Sequence, residues 1–272
     1  MAPLRTLRLA IRFSLREMRG GLSGFLIFLT CIALGVAAIG GVNSVARAIS
    51  AGVANEGQSL LGGDLRFELV QREATPAEKT YLSGLGALAE SISMRSMARL
   101  ADGSDQALVE LKAVDTAYPL YGRLATTPAL PPADLFAEQQ GAFGAAAPDI
   151  LFERLGLKVG DRIRVGNATF ELRALLVTEP DAASDGFGFA PRLLVSLDGL
   201  GATGLVQPGS LYSSTYKVRL AEPASAGELA VIREGATAAF PEAGWSVRTR
   251  DNAAPALSAN IERFSQFLSW SA

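Results

Sequence analysis

Residues 60–114 read LLGGDLRFELVQREATPAEKTYLSGLGALAESISMRSMARLADGSDQALVELKAV, and the spacing of their apolar positions changes twice along the way. LLGGDLRFELV is a Gly-Gly turn feeding a strand, because Leu65, Phe67 and Leu69 alternate with polar neighbours. The next segment, TPAEKTYLSGLGALAE (residues 75–90), begins with a cap residue at Thr75, Pro76 at the first helical position and Glu78 three residues after the cap. That combination is a capping-box helix start, and the segment reads as helix. SISMRSMARL and QALVELKAV then flank ADGSD, a turn around Asp102–Gly103, which makes a hairpin. The block is strand, helix, strand, strand, and it sets the class as α+β.

Downstream, the same order returns. SSTYKVRLA (residues 213–221) alternates Tyr216, Val218 and Leu220 as a strand, SAGELAVIREGATAAF is helical, and GWSVRTR is a second strand. The two blocks share a β-α-β pattern without residue-level repetition. Between them, residues 118–210 have another texture. A Pro/Ala-rich stretch, TTPALPPADLF, leads to a short helix at residues 149–155. A hairpin of residues 162–165 with 169–177 turns at Gly166–Asn167, and the strand PRLLVSL follows the glycine-rich SDGFGFAP. This reads as a small β-rich subdomain inserted into the α+β one.

Upstream lie 27 residues without a charge, GGLSGFLIFLTCIALGVAAIGGVNSVA (residues 20–46). A helix over residues 21–45 would be ~37 Å long, enough to cross a ~30 Å hydrocarbon layer with some tilt. VARA (residues 45–48) has the small-x-small pattern that signal peptidases accept, but the apolar run far exceeds a signal h-region of about 7–15 residues, so it reads as a retained anchor. Ala33, Ala37 and Gly41 lie four apart in it, a row that lets another membrane helix approach closely. Ahead of the anchor, Arg5, Arg8, Arg12, Arg16 and Arg19 follow helical spacing beside an apolar row of Leu4, Leu7, Ile11, Leu15 and Met18. These arginines meet lipid phosphates on the cytoplasmic surface, and Gly20 and Gly21 form an elbow between the surface helix and the span. Arg47 is the sole basic residue among the twenty after residue 45, so the N-terminus is placed in the cytoplasm and the rest outside.

Composition narrows the chemistry. Without the five N-terminal arginines and Glu17, the chain holds 20 basic and 26 acidic residues, a net charge of −6 that argues against nucleic acid. Cys31 is the only cysteine, so no disulfide is available. The absence of histidine excludes histidine-based triads and histidine metal sites. No Gly-Lys pair exists for a nucleotide-binding P-loop. GLGALA (residues 84–89) fits a dinucleotide pattern but falls within or at the end of a helix rather than after a strand. DAASDG (residues 181–186) matches the first, fifth and sixth positions of a calcium loop, yet lacks a ligand at the third and has Arg192 at the twelfth. No catalytic, cofactor-binding or metal-binding residue is assigned.

RFSLREMRGGLSGFLIFLTCIALGVAAI (residues 12–39), LLGGDL (60–65), KAVDTAYPLYG (112–122), ERLGLKVGD (153–161), TEPD (178–181) and GLVQPGS (204–210) occur in an order that resembles the FtsX/MacB/LolC-like family of ABC transporter permeases, in its YbbP-like branch. The resemblance spans nearly the whole chain. It implies an amphipathic elbow at residues 1–20, a transmembrane helix at 21–46 and an extracytoplasmic MacB-like domain at 47–262. Within that domain it implies porter-like parts at 60–117 and 211–251 around a sabre-like insert at 118–210. Leu257, Ile261, Phe264 and Leu268 recur at helical spacing as an amphipathic helix, and residues 263–272 would begin a second membrane helix that the sequence does not complete.

The resemblance further implies a non-enzymatic permease subunit in the bacterial inner membrane. A cytoplasmic ATPase partner would bind ATP and Mg, and the permease would pass its motion to the outer domain by mechanotransmission, moving or extracting lipids and other hydrophobic molecules. Long permeases of this branch are associated with periplasmic lysophospholipase or thioesterase partners. The rival reading is a membrane-anchored sensor or scaffold without transport.

Overall fold

The computed structural model describes residues 22–182 and 190–252. The arginine row with Gly20 and Gly21, the expected second membrane helix at 263–272 and most of the calcium-like loop lie outside them. The chain divides into two compact units, Met1–Gly52 and Val53–Ala272.

Helix α1 (Leu22–Leu61) runs for 40 residues. Near its start, Leu26, Ile27, Phe28 and Leu34 are each more than half exposed. Among the described residues no helix is long and apolar enough to cross a membrane. Ala33, Ala37 and Gly41 are exposed, with nothing within 4 Å of the place a Gly41 side chain would occupy.

The larger unit is built on one sheet. Its first part comprises β1 (Leu65–Val70), helix α2 (Pro76–Leu85), β2 (Gly86–Leu100) and β3 (Gln106–Val114). The last part comprises β10 (Tyr212–Leu220), helix α6 (Ala226–Ala239) and β11 (Ser246–Thr249), closed by a 3₁₀ turn at Arg250–Asn252. Between them come β4 (Ala125–Thr127), α3 (Pro132–Phe136), β5 (Glu138–Gln139), β6 (Ala142–Ala147), α4 (Asp149–Leu155), β7 (Arg162–Val165), β8 (Ala168–Thr178), β9 (Arg192–Ser196) and α5 (Leu197–Thr203).

The two β-α-β blocks interleave rather than sit side by side. The strand order begins β11-β1-β10-β2, antiparallel throughout, which is a split β-α-β arrangement. Leu65, Phe67 and Leu69 pack with Tyr216, Val218, Leu82, Leu229 and Trp245 into a core between these strands and helices α2 and α6. Alternation in β1 and β10 therefore reports one shared buried face.

The middle segment does not form a sheet of its own. β9 joins β3 in parallel, β6 and β8 follow, and β7 pairs with the far end of β2 as well as with β8. The 15-residue β2 thus serves both parts. Val109, Leu111, Ile163, Phe170 and Leu193 form a second core with Leu151 of α4, and a smaller third core lies around Tyr118, Leu135 and Leu194.

One helix ends earlier than its sequence implies. Residues 86–90 belong to β2, not to the helix begun at Thr75. Gly86 lies so close to β10 that a Cβ there would sit 2.2 Å from the Arg219 carbonyl oxygen. From it, a nine-residue ladder runs from Gly86–Leu220 to Met94–Tyr212. Tertiary pairing overrides the helix preference of Ala-Leu-Ala-Glu. GLGALA therefore links a helix to a strand, the reverse of a dinucleotide loop.

Candidate functional site

The last turn of α1 and the Gly62–Gly63 turn deliver Asp64 to a buried position, 2 % exposed. Gly62 takes a left-handed φ of +72°, which glycine adopts without a Cβ penalty, and a Cβ on Gly63 would meet the Leu65 carbonyl oxygen at 2.9 Å. The Asp64 carboxylate accepts hydrogen bonds from Gln58 Nε2 (2.8 Å), the Tyr121 hydroxyl (2.9 Å) and the Leu220 backbone N–H (2.9 Å), and it pairs with the Arg250 guanidinium. Arg250 also donates its backbone N–H to the Asp64 carbonyl at 3.0 Å. A Cβ on Gly57 would sit 2.2 Å from the Arg250 carbonyl oxygen, so the helix backbone rests directly on the 3₁₀ turn. One carboxylate thereby ties the end of α1 to three distant segments. Burial, and then the hydrogen bond to Asp64, push the Tyr121 hydroxyl up to about 12.

Against the other side of Gly62 lies a second ionic cluster. A Cβ on Gly62 would come within 3.1 Å of Asp181 Cβ and 3.2 Å of Lys217 Nζ. Asp181 Oδ2 accepts from Lys112 at 2.9 Å and contacts Lys217, while Oδ1 accepts from the Tyr118 hydroxyl at 2.6 Å. Lys112 also reaches Glu179 at 2.5 Å, and Arg192 joins Glu179 at 2.9 Å to Glu110 at 3.1 Å. The Lys112, Glu179, Asp181 and Lys217 side chains are no more than 4 % exposed. Burial, followed by the charges of Lys112 and Arg66, drives the Lys217 ammonium well below its ordinary value. Three carboxylates and three cations satisfy one another here, with Lys112, Glu179, Asp181 and Lys217 closed to solvent and Arg192 and Glu110 at the partly exposed edge. Such an arrangement fixes segments together and offers no group to a substrate.

Three of the short motifs from the sequence meet at this place. LLGGDL supplies Gly62 and Asp64, KAVDTAYPLYG supplies Lys112, Tyr118 and Tyr121, and TEPD supplies Glu179 and Asp181. Gly122 joins two of them, since a Cβ there would press on Pro180 at 2.5 Å and reach Ser59 Oγ at 3.4 Å. No sequence pattern singled out Lys112 or Lys217. The available signal was a lysine in each of two apolar-rich strands, VELKAV and TYKVRL, at a position the sheet buries. Ala33, Ala37 and Gly41 lie in the other unit and take no part in this network. Among the described residues, no group of three acidic or cysteine side chains could hold a metal ion.

No protein-family model matches the chain. A curated relative does: 209 residues are 32% identical to the uncharacterized ABC transporter permease YbbP of Escherichia coli (strain K12), covering 76% of this chain. The chain belongs to the YbbP-like ABC transporter permeases. It spans about a quarter of that relative's length (24%). Among solved structures, the permease chain is similar to the periplasmic region of MacB from Actinobacillus actinomycetemcomitans. The identity there is 11% and the TM-score 0.46, over 75% of this chain and 95% of that one. It is also similar to the extracellular domain of the ABC-type transporter YknZ from Gram-positive bacteria, at 12% identity and a TM-score of 0.45, over 68% of this chain and all of that one.

Proposed function

We propose that this segment of a YbbP-like permease is its first membrane anchor and first extracytoplasmic domain. On this reading the N-terminus lies in the cytoplasm of a bacterial cell and the sheet lies outside the inner membrane. A cytoplasmic ATPase that binds Mg-ATP drives the anchor, and the domain passes that movement to lipids or other hydrophobic molecules. The observation that carries the reading is the sequence identity to YbbP over three quarters of the chain. Two physical features support it. The charge-free residues 20–46 include exposed Leu26, Ile27 and Phe28, whose burial in lipid is worth ~25 cal/mol per Å² of apolar surface. The Asp64 network holds the last turn of α1, at Gly57 and Gln58, against the sheet domain, a contact that a transmitted displacement needs.

The test uses the full-length permease purified in detergent. It is expected to retain an ATP-binding subunit through purification, and that subunit's ATP turnover should change when the permease is added. A permease that retains no such subunit and leaves its turnover unaltered would favour the anchored-scaffold reading instead.

A further inference from the structure

Away from the ionic joint, the β2–β3 turn and the β7–β8 turn enclose a cleft of about 650 Å³ lined by Arg99, Leu100, Asp102, Arg164, Asn167 and Leu205. Both turns are built firmly. Gly103 takes φ +74° and donates its N–H to the Leu100 carbonyl at 3.0 Å. Gly166 takes φ +56° with its α-carbon against the Thr203 carbonyl, to which Asn167 donates its N–H at 2.9 Å.

Arg99 and Arg164 stand directly opposite each other in the antiparallel β2–β7 pair. Cβ atoms at such positions are ~4.5–5.5 Å apart, and like charges there repel. The flanking cross-strand neighbours are Gln106 and Thr169, so neither arginine faces a carboxylate in the ladder. Both side chains are exposed, and among the described residues neither makes a hydrogen bond or ion pair. The one carboxylate of the cleft, Asp102, is engaged within its own turn: Oδ1 accepts from the Ser104 N–H at 3.0 Å and hydroxyl at 2.7 Å.

We propose that Arg99 and Arg164 form a binding site for a phosphate-class oxyanion. Two guanidinium forks set a cross-strand spacing apart can converge on one tetrahedral anion, each donating paired N–H groups. The bound anion would also remove the repulsion between them. Apolar Leu100 and Leu205 line the same cleft, so the shared phosphate chemistry can come from free phosphate or from a phospholipid headgroup with its chains against these leucines. This site is independent of the coupling role above, and its test does not read ATP turnover.

The full chain in maltoside detergent would be titrated calorimetrically with inorganic phosphate and with dihexanoylphosphatidylglycerol, against sodium chloride at matched ionic strength. Saturable phosphate binding is expected, with Arg99→Gln and Arg164→Gln each weakening it about tenfold or more. Arg154→Gln, exposed on α4, should leave it within twofold. Melting in chloride alone should show both cleft variants as stable as the parent or more so, which separates loss of the site from loss of the fold. Tighter binding of the phospholipid than of phosphate assigns the headgroup, and weaker binding assigns the free ion. Phosphate binding no tighter than chloride, or cleft variants that bind as the parent does, would overturn the site.

Discussion

Asp181 holds more of this domain together than any local pattern around it suggests. Its carboxylate meets Lys112, Tyr118 and Lys217, partners 69, 63 and 36 residues away in the chain. Replacing it with asparagine leaves buried ammonium groups without their counter-charge, a change that costs ~3–5 kcal/mol at fully buried ion pairs. Asp181→Asn is therefore predicted to lower the urea midpoint of the domain strongly. Lys217→Met should cost much less, because burial already disfavours that ammonium. Equal losses in the two variants would contradict the assignment of Asp181 as the centre of the network. The pairing itself was not legible in the sequence, where TEPD enters only among the motifs of the resemblance and DAASDG suggests at most an incomplete calcium loop. Burial depends on which strands pair, and separations of this size carry no periodic signal.

Elements were legible where their signals are local. The Thr75 cap is formed as its spacing implies: Thr75 Oγ1 accepts the Glu78 N–H at 3.3 Å and Glu78 accepts the Thr75 N–H at 2.7 Å. Arg72 adds two bonds to the same carboxylate, at 3.0 and 2.9 Å, and it is the main reason the Glu78 carboxyl lies below its ordinary range. A carboxylate depressed on folding contributes stability that is present above its unfolded value of 4.5 and lost as pH falls through the lower folded value. Glu78→Gln should then cost ~1 kcal/mol at pH 7, as cap losses do. Urea midpoints should show the gap to the parent narrowing by pH 3; a gap that does not change with pH would refute the ionic part. The strand β6, AFGAAA, was not legible, since alanine and glycine favour strands poorly. It is a strand because its neighbours β8 and β9 supply its hydrogen bonds, and because α3 packs so tightly that a Cβ on Gly144 would sit 1.8 Å from the Leu135 carbonyl oxygen. Crowding of that kind selects small residues, which sequence propensity reads as loop.

At the scale of the molecule, the α+β class and the two β-α-β blocks follow from periodicity, whereas their interleaving and the merging of the middle strands into one sheet do not. Register between β1 and β10 joins residues about 150 apart, Leu65 with Val218, and only the shared buried face specifies it. The proposed anchor is different again, because hydropathy and charge asymmetry argue for it without any pairing. The central claim is that this domain works outside the inner membrane on an N-terminal anchor whose start is inside. Cysteine labelling tests it directly, since Cys31 is the chain's only cysteine. In the full-length permease with Cys31→Ser and any cysteines beyond this chain also replaced, Ala226→Cys would place one thiol on an exposed position of α6. A membrane-impermeant maleimide added to intact spheroplasts is predicted to label that thiol as fully as it does after lysis. Labelling that appears only after lysis would contradict the account.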